Sequence, residues 1–143
     1  MKNFLLPVVI LALVSCSSVA QNGGDHEDIK RTLESYLKAG DHNNVDELNN
    51  YIHDHFRVAL YDGMEDIAKV LDKTTYTTLI GNKTFGGYPR TVEYGAIDTI
   101  GENMASIQVT LTSPGKPTLK NFYSLVKTGG KWTVIQDFVV LIP

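Results

Sequence analysis

The chain has 143 residues, with 13 Lys and Arg against 16 Asp and Glu, 43% hydrophobic content, 12 Gly, 5 Pro and one Cys. This is the make-up of one globular domain and excludes a multidomain enzyme. The charge of −3 is spread over interspersed residues without a Lys/Arg cluster, so the basic footprint of a nucleic-acid binder is missing. The roughly 120 residues that follow the N-terminal segment are enough to bury about two-thirds of the unfolded surface, so folding needs neither a metal nor a disulfide.

Lys2 precedes an eleven-residue apolar run over residues 4–14. A charge followed by a short apolar core is the order of a secretory signal, and a run this short falls below the ~20 residues a spanning helix needs. The run ends in Leu13-Val14-Ser15-Cys16, which resembles the lipobox of bacterial lipoproteins, where cleavage before the Cys leaves it carrying the lipid. On this reading residues 1–20 hold a signal with a lipobox ending at Cys16, and residues 17–24 form a flexible tether. Cleavage after Ser18-Val19-Ala20 is a second route, which discards Cys16 and releases a soluble periplasmic or secreted protein. Either route leaves no second Cys in the folded part, so a disulfide, a thiolate metal site and a Cys nucleophile are all excluded there. Loss of Lys2 brings the basic residues to 12 against 16 acidic, a mature charge of −4.

In the domain at residues 25–143, Asp25 and Asp28 can cap a helix whose face carries Ile29, Leu33, Tyr36 and Leu37 and which closes at Gly40. Asn44 with Glu47 starts a second, shorter helix with Val45, Leu48 and Ile52 on one stripe. Alternation over residues 56–61 predicts a strand ended by Asp62-Gly63. Ile67, Val70 and Leu71 give residues 64–71 a helical spacing, and Asp72 caps a further turn carrying Tyr76, Leu79 and Ile80 before Gly81. The stretch 82–89 is irregular and Gly-containing, a lid or edge loop. Beyond Arg90, β-branched and aromatic residues predominate, and breaks at Gly101, Pro114-Gly115 and Gly129-Gly130 divide four strands of an antiparallel meander. Ala105, Ile107, Val109 and Leu111 share one face of the second, and Trp132, Val134, Gln136, Phe138 and Val140 one face of the last. Helices first and sheet second is an α+β arrangement in which the helices cover one sheet face.

This order, with Ala39-Gly40-Asp41 after helix one and Gly130-Lys131-Trp132-Thr133-Val134-Ile135 opening the last strand, resembles the nuclear transport factor 2-like superfamily. Val58-Ala59-Leu60 before Asp62-Gly63-Met64, Thr75-Tyr76, and Tyr123-Ser124-Leu125-Val126-Lys127 are similar to its bacterial putative lumazine-binding, polyketide-cyclase-like branch. The resemblance implies a cone-shaped, cystatin-like fold in which N-terminal helices pack on a curved antiparallel sheet and enclose a cavity. It also implies a homodimer formed through the outer sheet face.

Ketosteroid isomerases, dehydratases and polyketide cyclases of that superfamily place an acid/base set inside the cone. The isomerase pattern puts a Tyr where this chain has Leu33, its general base near Leu60 or Tyr61, and its acidic donor near Phe122, so that set is missing. His53 and His55, flanking Asp54, lack the third ligand of a zinc-like spacing and are read as solvated, as are His26 and His42, and no metal or cofactor is expected. Gly129-Gly130-Lys131 lacks P-loop spacing and serves a hairpin. Asn82-Lys83-Thr84 has the form of a glycosylation acceptor, which in a bacterial protein is accidental.

Seven Tyr lie in the domain, and Tyr hydroxyls on apolar bodies suit a planar ligand. The candidate ligand residues are Tyr36, Tyr76, Tyr94 (facing with Val92, Ala96 and Asp98), Tyr123, and Gln136, which interrupts an apolar face. Asp137, on the opposite face, is assigned to a dimer surface or solvent. The expected function is an exported, membrane-tethered, non-catalytic domain that binds a small planar or apolar molecule. The alternatives are an isomerase, dehydratase or cyclase using Tyr36, Tyr94 and Asp98, and a homodimeric interaction module with a filled cone. In metabolic labelling with radioactive palmitate, the full chain is expected to be labelled and to sediment with membranes, and Cys16→Ser to be unlabelled and soluble. An unlabelled wild-type protein beginning at Gln21 would establish the second cleavage route.

Overall fold

The computed structural model describes residues 20–142, so the signal segment and Cys16 lie outside the described residues. Helix α1 (Ala20–Asp41) is followed by a short α2 (Val45–Asn49), strands β1 (Ile52–Asp62) and β2 (Ile67–Asp72), and helix α3 (Lys73–Gly81). Strands β3 (Thr91–Ile100), β4 (Met104–Thr112), β5 (Thr118–Thr128) and β6 (Lys131–Ile142) complete the chain. The strands form one sheet in the order β2-β1-β6-β5-β4-β3, antiparallel throughout except for the parallel β1 and β6 pairing. The α+β order and the meander of β3 to β6 are as expected.

Helix α1 buries Ile29, Leu33, Tyr36 and Leu37 in a core shared with Ala105, Ile107, Val109 and Leu111 of β4 and Leu125 and Val134 of β5 and β6. Fully burying one such aliphatic side chain contributes about 1.5–3 kcal/mol, so this stripe-on-sheet contact fixes the helix. Its N-terminal end is clamped separately, where Lys127 Nζ donates to Asp25 Oδ1 at 2.7 Å and stands over the Trp132 ring. α1 begins at Ala20, five residues before the expected cap at Asp25, so residues 20–24 are helical and the expected tether does not extend over them. It also runs past Gly40 to Asp41. α2 starts after Asn44, whose side chain accepts from Glu47 N as predicted, but it ends at Asn49, and Ile52 opens β1 instead.

Residues 64–71 are not a helix. The Asp62 carboxylate accepts from Met64 N and Glu65 N, Asp66 takes a left-handed backbone at φ 56, and the chain turns so that Ile67 pairs with Asp62. Three apolar residues at helical spacing are too short a signal to outweigh a hairpin turn next to a strand that needs a partner. Asp72 then caps α3, accepting from Thr75 N at 2.8 Å.

Two strands reverse face midway. In β3 the pairing with β4 shifts between Tyr94 and Ile97, and in β6 Ile135 is left without a β5 partner, because Ser124 pairs with Gln136 and Leu125 with Val134. A bulge inverts the inward and outward parity of everything beyond it. Trp132 and Val134 are buried as expected, but Asp137 and Val139 take the inner face, whereas Phe138 and Val140 are exposed on the outer one. The expected common face of Trp132, Val134, Gln136, Phe138 and Val140 is thus split at the bulge.

The irregular stretch 82–89 is fastened to the end of α1. Asn43, at φ 52, donates through Nδ2 to Ile80 O and Phe85 O at 2.8 and 2.7 Å, and Gly87 N donates to Gly40 O. A Cβ on Gly86, which sits at φ 68, would stand 2.2 Å from Gly40 O, so backbone packs against backbone here and no side chain fits. Gly115 has a similar φ of 72 with open space around it. In urea unfolding, Gly86→Ala is expected to lose more than about 3 kcal/mol and Gly115→Ala about 1 kcal/mol. Equal losses would show that the loop is not fastened in solution.

Candidate functional site

Between α1, α3, the 82–89 loop and the inner faces of β1, β5 and β6 lies a cavity of about 280 Å³. Its lining includes Tyr36, Tyr76, Tyr123, Arg90, Asn121 and Asp137 among apolar residues such as Val58, Leu60, Leu119, Val139 and Leu141. Helical periodicity puts Tyr36 one turn beyond Leu33 on the buried stripe of α1, and α3 presents Tyr76 across from it. The two hydroxyls lie 2.9 Å apart and share one hydrogen bond. Rings of Tyr36 and Tyr123 meet edge to face at 5.7 Å, and Phe56 packs against Tyr36 and Tyr76 at 6.1 and 5.2 Å.

Three of the five candidate residues, Tyr36, Tyr76 and Tyr123, therefore converge. Tyr94 does not line this cavity; it lies under Lys30 Nζ, 5.3 Å from its ring centre. The β3 bulge separates Ala96 and Asp98 from its face, and Asp98 is exposed, so the set Tyr36, Tyr94 and Asp98 is not assembled. Gln136 is partly buried outside the cavity and reaches only the carbonyl of Asp137, at 3.4 Å. His53 and His55 are neighbours in the irregular start of β1 with ring centres 5.5 Å apart. No group of three or more His, Cys, Asp or Glu side chains suited to a metal occurs among the described residues.

Asp137, assigned from the sequence to the outside, is 4% exposed inside the cone. Its Oδ1 accepts at 2.8 Å from Asn121 Nδ2, which lies diagonally from it on β5, two residues before its cross-strand partner Tyr123. Burial pushes the carboxyl up to about 7, against the lowering pull of the Asn121 hydrogen bond and the Arg90 charge. Burial also pushes Tyr76 up to about 12 and raises Tyr36 and Tyr123 well above their ordinary value, with the Asp137 charge adding to each. Arg90 stays protonated: burial opposes its charge, but Tyr123 and Asp41 outweigh it, and its Nε donates to Asp41 Oδ1 at 2.5 Å. Asn121, Arg90 and Asp137 were missed because each depends on a bulge or a long-range pairing. The available signal was the polar pair Gln136-Asp137 within an apolar strand, one member of which has to face inward.

A carboxyl raised from 3.8 to about 7 on folding keeps a proton that the unfolded chain releases. Its favourable contribution is whole below about pH 4 and is lost as pH rises through about 7, at about 1.4 kcal/mol per unit and roughly 4 kcal/mol in total. Asp137→Asn removes this slope. Urea unfolding at pH 5 and pH 8 is expected to show the variant gaining on the wild type by a few kcal/mol at the higher pH. Parallel curves would place the carboxylate in water.

A family model described as putative lumazine-binding matches residues 24–138. Among solved structures, the chain is similar to a nuclear transport factor 2-like protein of unknown function from Shewanella baltica, with 19% identity, a TM-score of 0.73, and 85% of this chain and 96% of that one covered. It is also similar to a putative scytalone dehydratase from Novosphingobium aromaticivorans, with 16% identity, a TM-score of 0.64, and 86% and 87% covered. A cystatin-like fold protein from Burkholderia xenovorans shares 16% identity at a TM-score of 0.64, over 81% and 90%. At these identities the structures establish the fold alone, and no curated protein matches. The family match spans most of the chain, and the chain belongs to the putative lumazine-binding family, with the nuclear transport factor 2-like cone fold.

Proposed function

We propose that this protein is a non-catalytic binding domain that takes a small, planar or largely apolar molecule into the cone, exported and held to a membrane by a lipid on Cys16. The observation that carries the binding reading is the cavity itself, which the fold leaves unfilled although Tyr36, Tyr76 and Tyr123 reach into it from three elements. An aromatic enclosure with a few polar groups is the ordinary make-up of a small-molecule site. Binding rather than turnover is supported at the positions where isomerases carry acid/base groups: Leu33 is buried in the core and Phe122 is on the outer sheet face. Pairing of two copies through that face is supported by Phe122 and Phe138, cross-strand partners 39% and 50% exposed with ring centres 6.4 Å apart, and by exposed Val140 beside them.

One observation favours a second reading, proton transfer to or from a bound substrate. A carboxyl near neutrality inside a cavity is suited to general acid/base work. The superfamily's isomerases achieve this from other positions, and here the group would be Asp137.

Native mass spectrometry of the gently purified protein is expected to show a dimer retaining a discrete added mass per subunit. Leu119→Trp, which fills the cavity from β5, is expected to remain dimeric without it. A wild-type protein that carries nothing, and binds nothing from a metabolite screen, would overturn the binding reading. A ligand that binds and is consumed would replace it with the second.

A further inference from the structure

We propose that the tip of the hairpin between β3 and β4, through Ile100 and Met104, sits in the surface of a neutral phospholipid bilayer when the protein is anchored. This rests on the lipid at Cys16 proposed above and adds the part of the domain that touches the membrane.

Ile100 is 74% exposed and Met104 44%. The two are directly opposed across β3 and β4, so both side chains leave one face of the sheet, and half-buried Val126 continues the row on β5. Ala105, next to Met104, is buried in the core under α1, so this is the face turned away from the helices. Phe122, Phe138 and Val140 lie further along it. A polar row of Asp98, Ser106, Ser124 and Gln136, paired in that order, runs between the two apolar groups. Ile100 and Met104 are therefore separate from the surface proposed for pairing of two copies.

Their place in the fold names the occupant. Lys127 N donates to Asn103 O at 2.8 Å, and the same Lys127 holds Asp25 of α1 through Nζ at 2.7 Å, so the tip abuts the first turns of α1. From Asp25 back to Ala20 the helix rises about 8 Å, and the four residues from Ala20 to Cys16 reach at most about 14 Å. An acylated Cys16 thus keeps the tip within roughly 25 Å of the bilayer. A second contact made at such a short tether is close to intramolecular, and two apolar side chains then suffice where a free domain needs a larger surface. Asp98, Glu102 and Lys131 are exposed around the tip and the mature chain carries −4, so nothing there attracts an anionic surface. Neutral headgroups leave burial of apolar surface as the driving force.

The test uses the full chain, processed and acylated in a bacterial membrane and reconstituted in phosphatidylcholine vesicles that carry nitroxide-labelled acyl chains. With Cys16 acylated, Glu102→Cys beside the tip, or Lys116→Cys in the turn at the opposite ends of β4 and β5, supplies the free thiol for a polarity-sensitive fluorophore. The Glu102→Cys label is expected to shift to the blue and to be quenched about fivefold more strongly than the Lys116→Cys label. Adding Ile100→Asp and Met104→Asp, both outside the core, is expected to abolish that difference. In protein that floats with the vesicles, quenching no stronger than at Lys116→Cys, or quenching that survives both Asp substitutions, would overturn the inference and leave the anchor intact. A blue shift without quenching would overturn it in favour of a second copy covering the tip. A protein that begins at Gln21 and does not float would overturn the anchor and the inference together.

Discussion

The unpaired residue Ile135 in β6 decides what the cone contains. Up to Val134 the strand points its apolar residues at the helices; past the bulge the parity is inverted, with Asp137 and Val139 inward and Phe138 and Val140 outward. With regular pairing, Phe138 and Val140 would point into the space between α1, α3 and the sheet, and Asp137 would sit on the outer face. The cone would then be a filled core with an acidic exterior. The single extra residue therefore empties the cavity, supplies its carboxyl, and makes the outer face apolar at the same time. The internal site and the external surface are two consequences of one register shift.

Keeping a carboxyl and an ion pair inside this space is unfavourable by itself, and the arrangement shows how the fold tolerates it. The polar groups gather at one end, around the C-terminal half of α1, whereas Ile29, Leu33, Ile107, Leu125 and Val134 form an unbroken apolar core at the other. Asp41 and Arg90 neutralise each other, and Asp137 avoids an isolated buried charge by holding its proton and accepting from Asn121. The wall on that side is backbone against backbone, through Asn43, Gly86 and Gly87, and does not depend on apolar packing for its position. A cavity beside a rigid latch does not collapse to satisfy its lining, which is the condition for a ligand to do so instead.

The sequence made legible whatever followed a regular period or a local cap. The alternation of Ala105, Ile107, Val109 and Leu111 in β4, the stripe of α1, and the caps at Asn44 and Asp72 all appear where periodicity and turn chemistry place them. Tyr36, Tyr76 and Tyr123 were found in this way, since each sits on a face that no bulge interrupts. What could not be read was parity beyond an irregularity. Asp98, Gln136 and Asp137 were misplaced because β3 and β6 change face before or at those residues, whereas Tyr94, ahead of the β3 bulge, misses the cavity because β3 is an edge strand separated from β5 by β4. Arg90 was invisible for a different reason: its partner Asp41 is 49 residues away, and nothing local marks either one. Residues 64–71 show the limit of short helical spacing, which a turn closed by the Asp62 carboxylate overrode.

The two ends of α1 have separate duties, and this makes the proposed anchor and the proposed site compatible. Its first turns are clamped through Asp25 to Lys127 and Trp132, beside the turn between β5 and β6. The cavity lies near the other ends of those strands, at Leu119 and Leu141, next to the last turns of α1. From Ala20 to Tyr36 a helix rises about 24 Å, so the chain enters the domain at the end remote from the Tyr pair. A lipid on Cys16, a few residues before Ala20, would hold the apolar core end of the cone toward the bilayer and leave the cavity end facing water. A ligand arriving from solution would then meet the 82–89 loop, which lines the cavity, with no need for the domain to leave the surface.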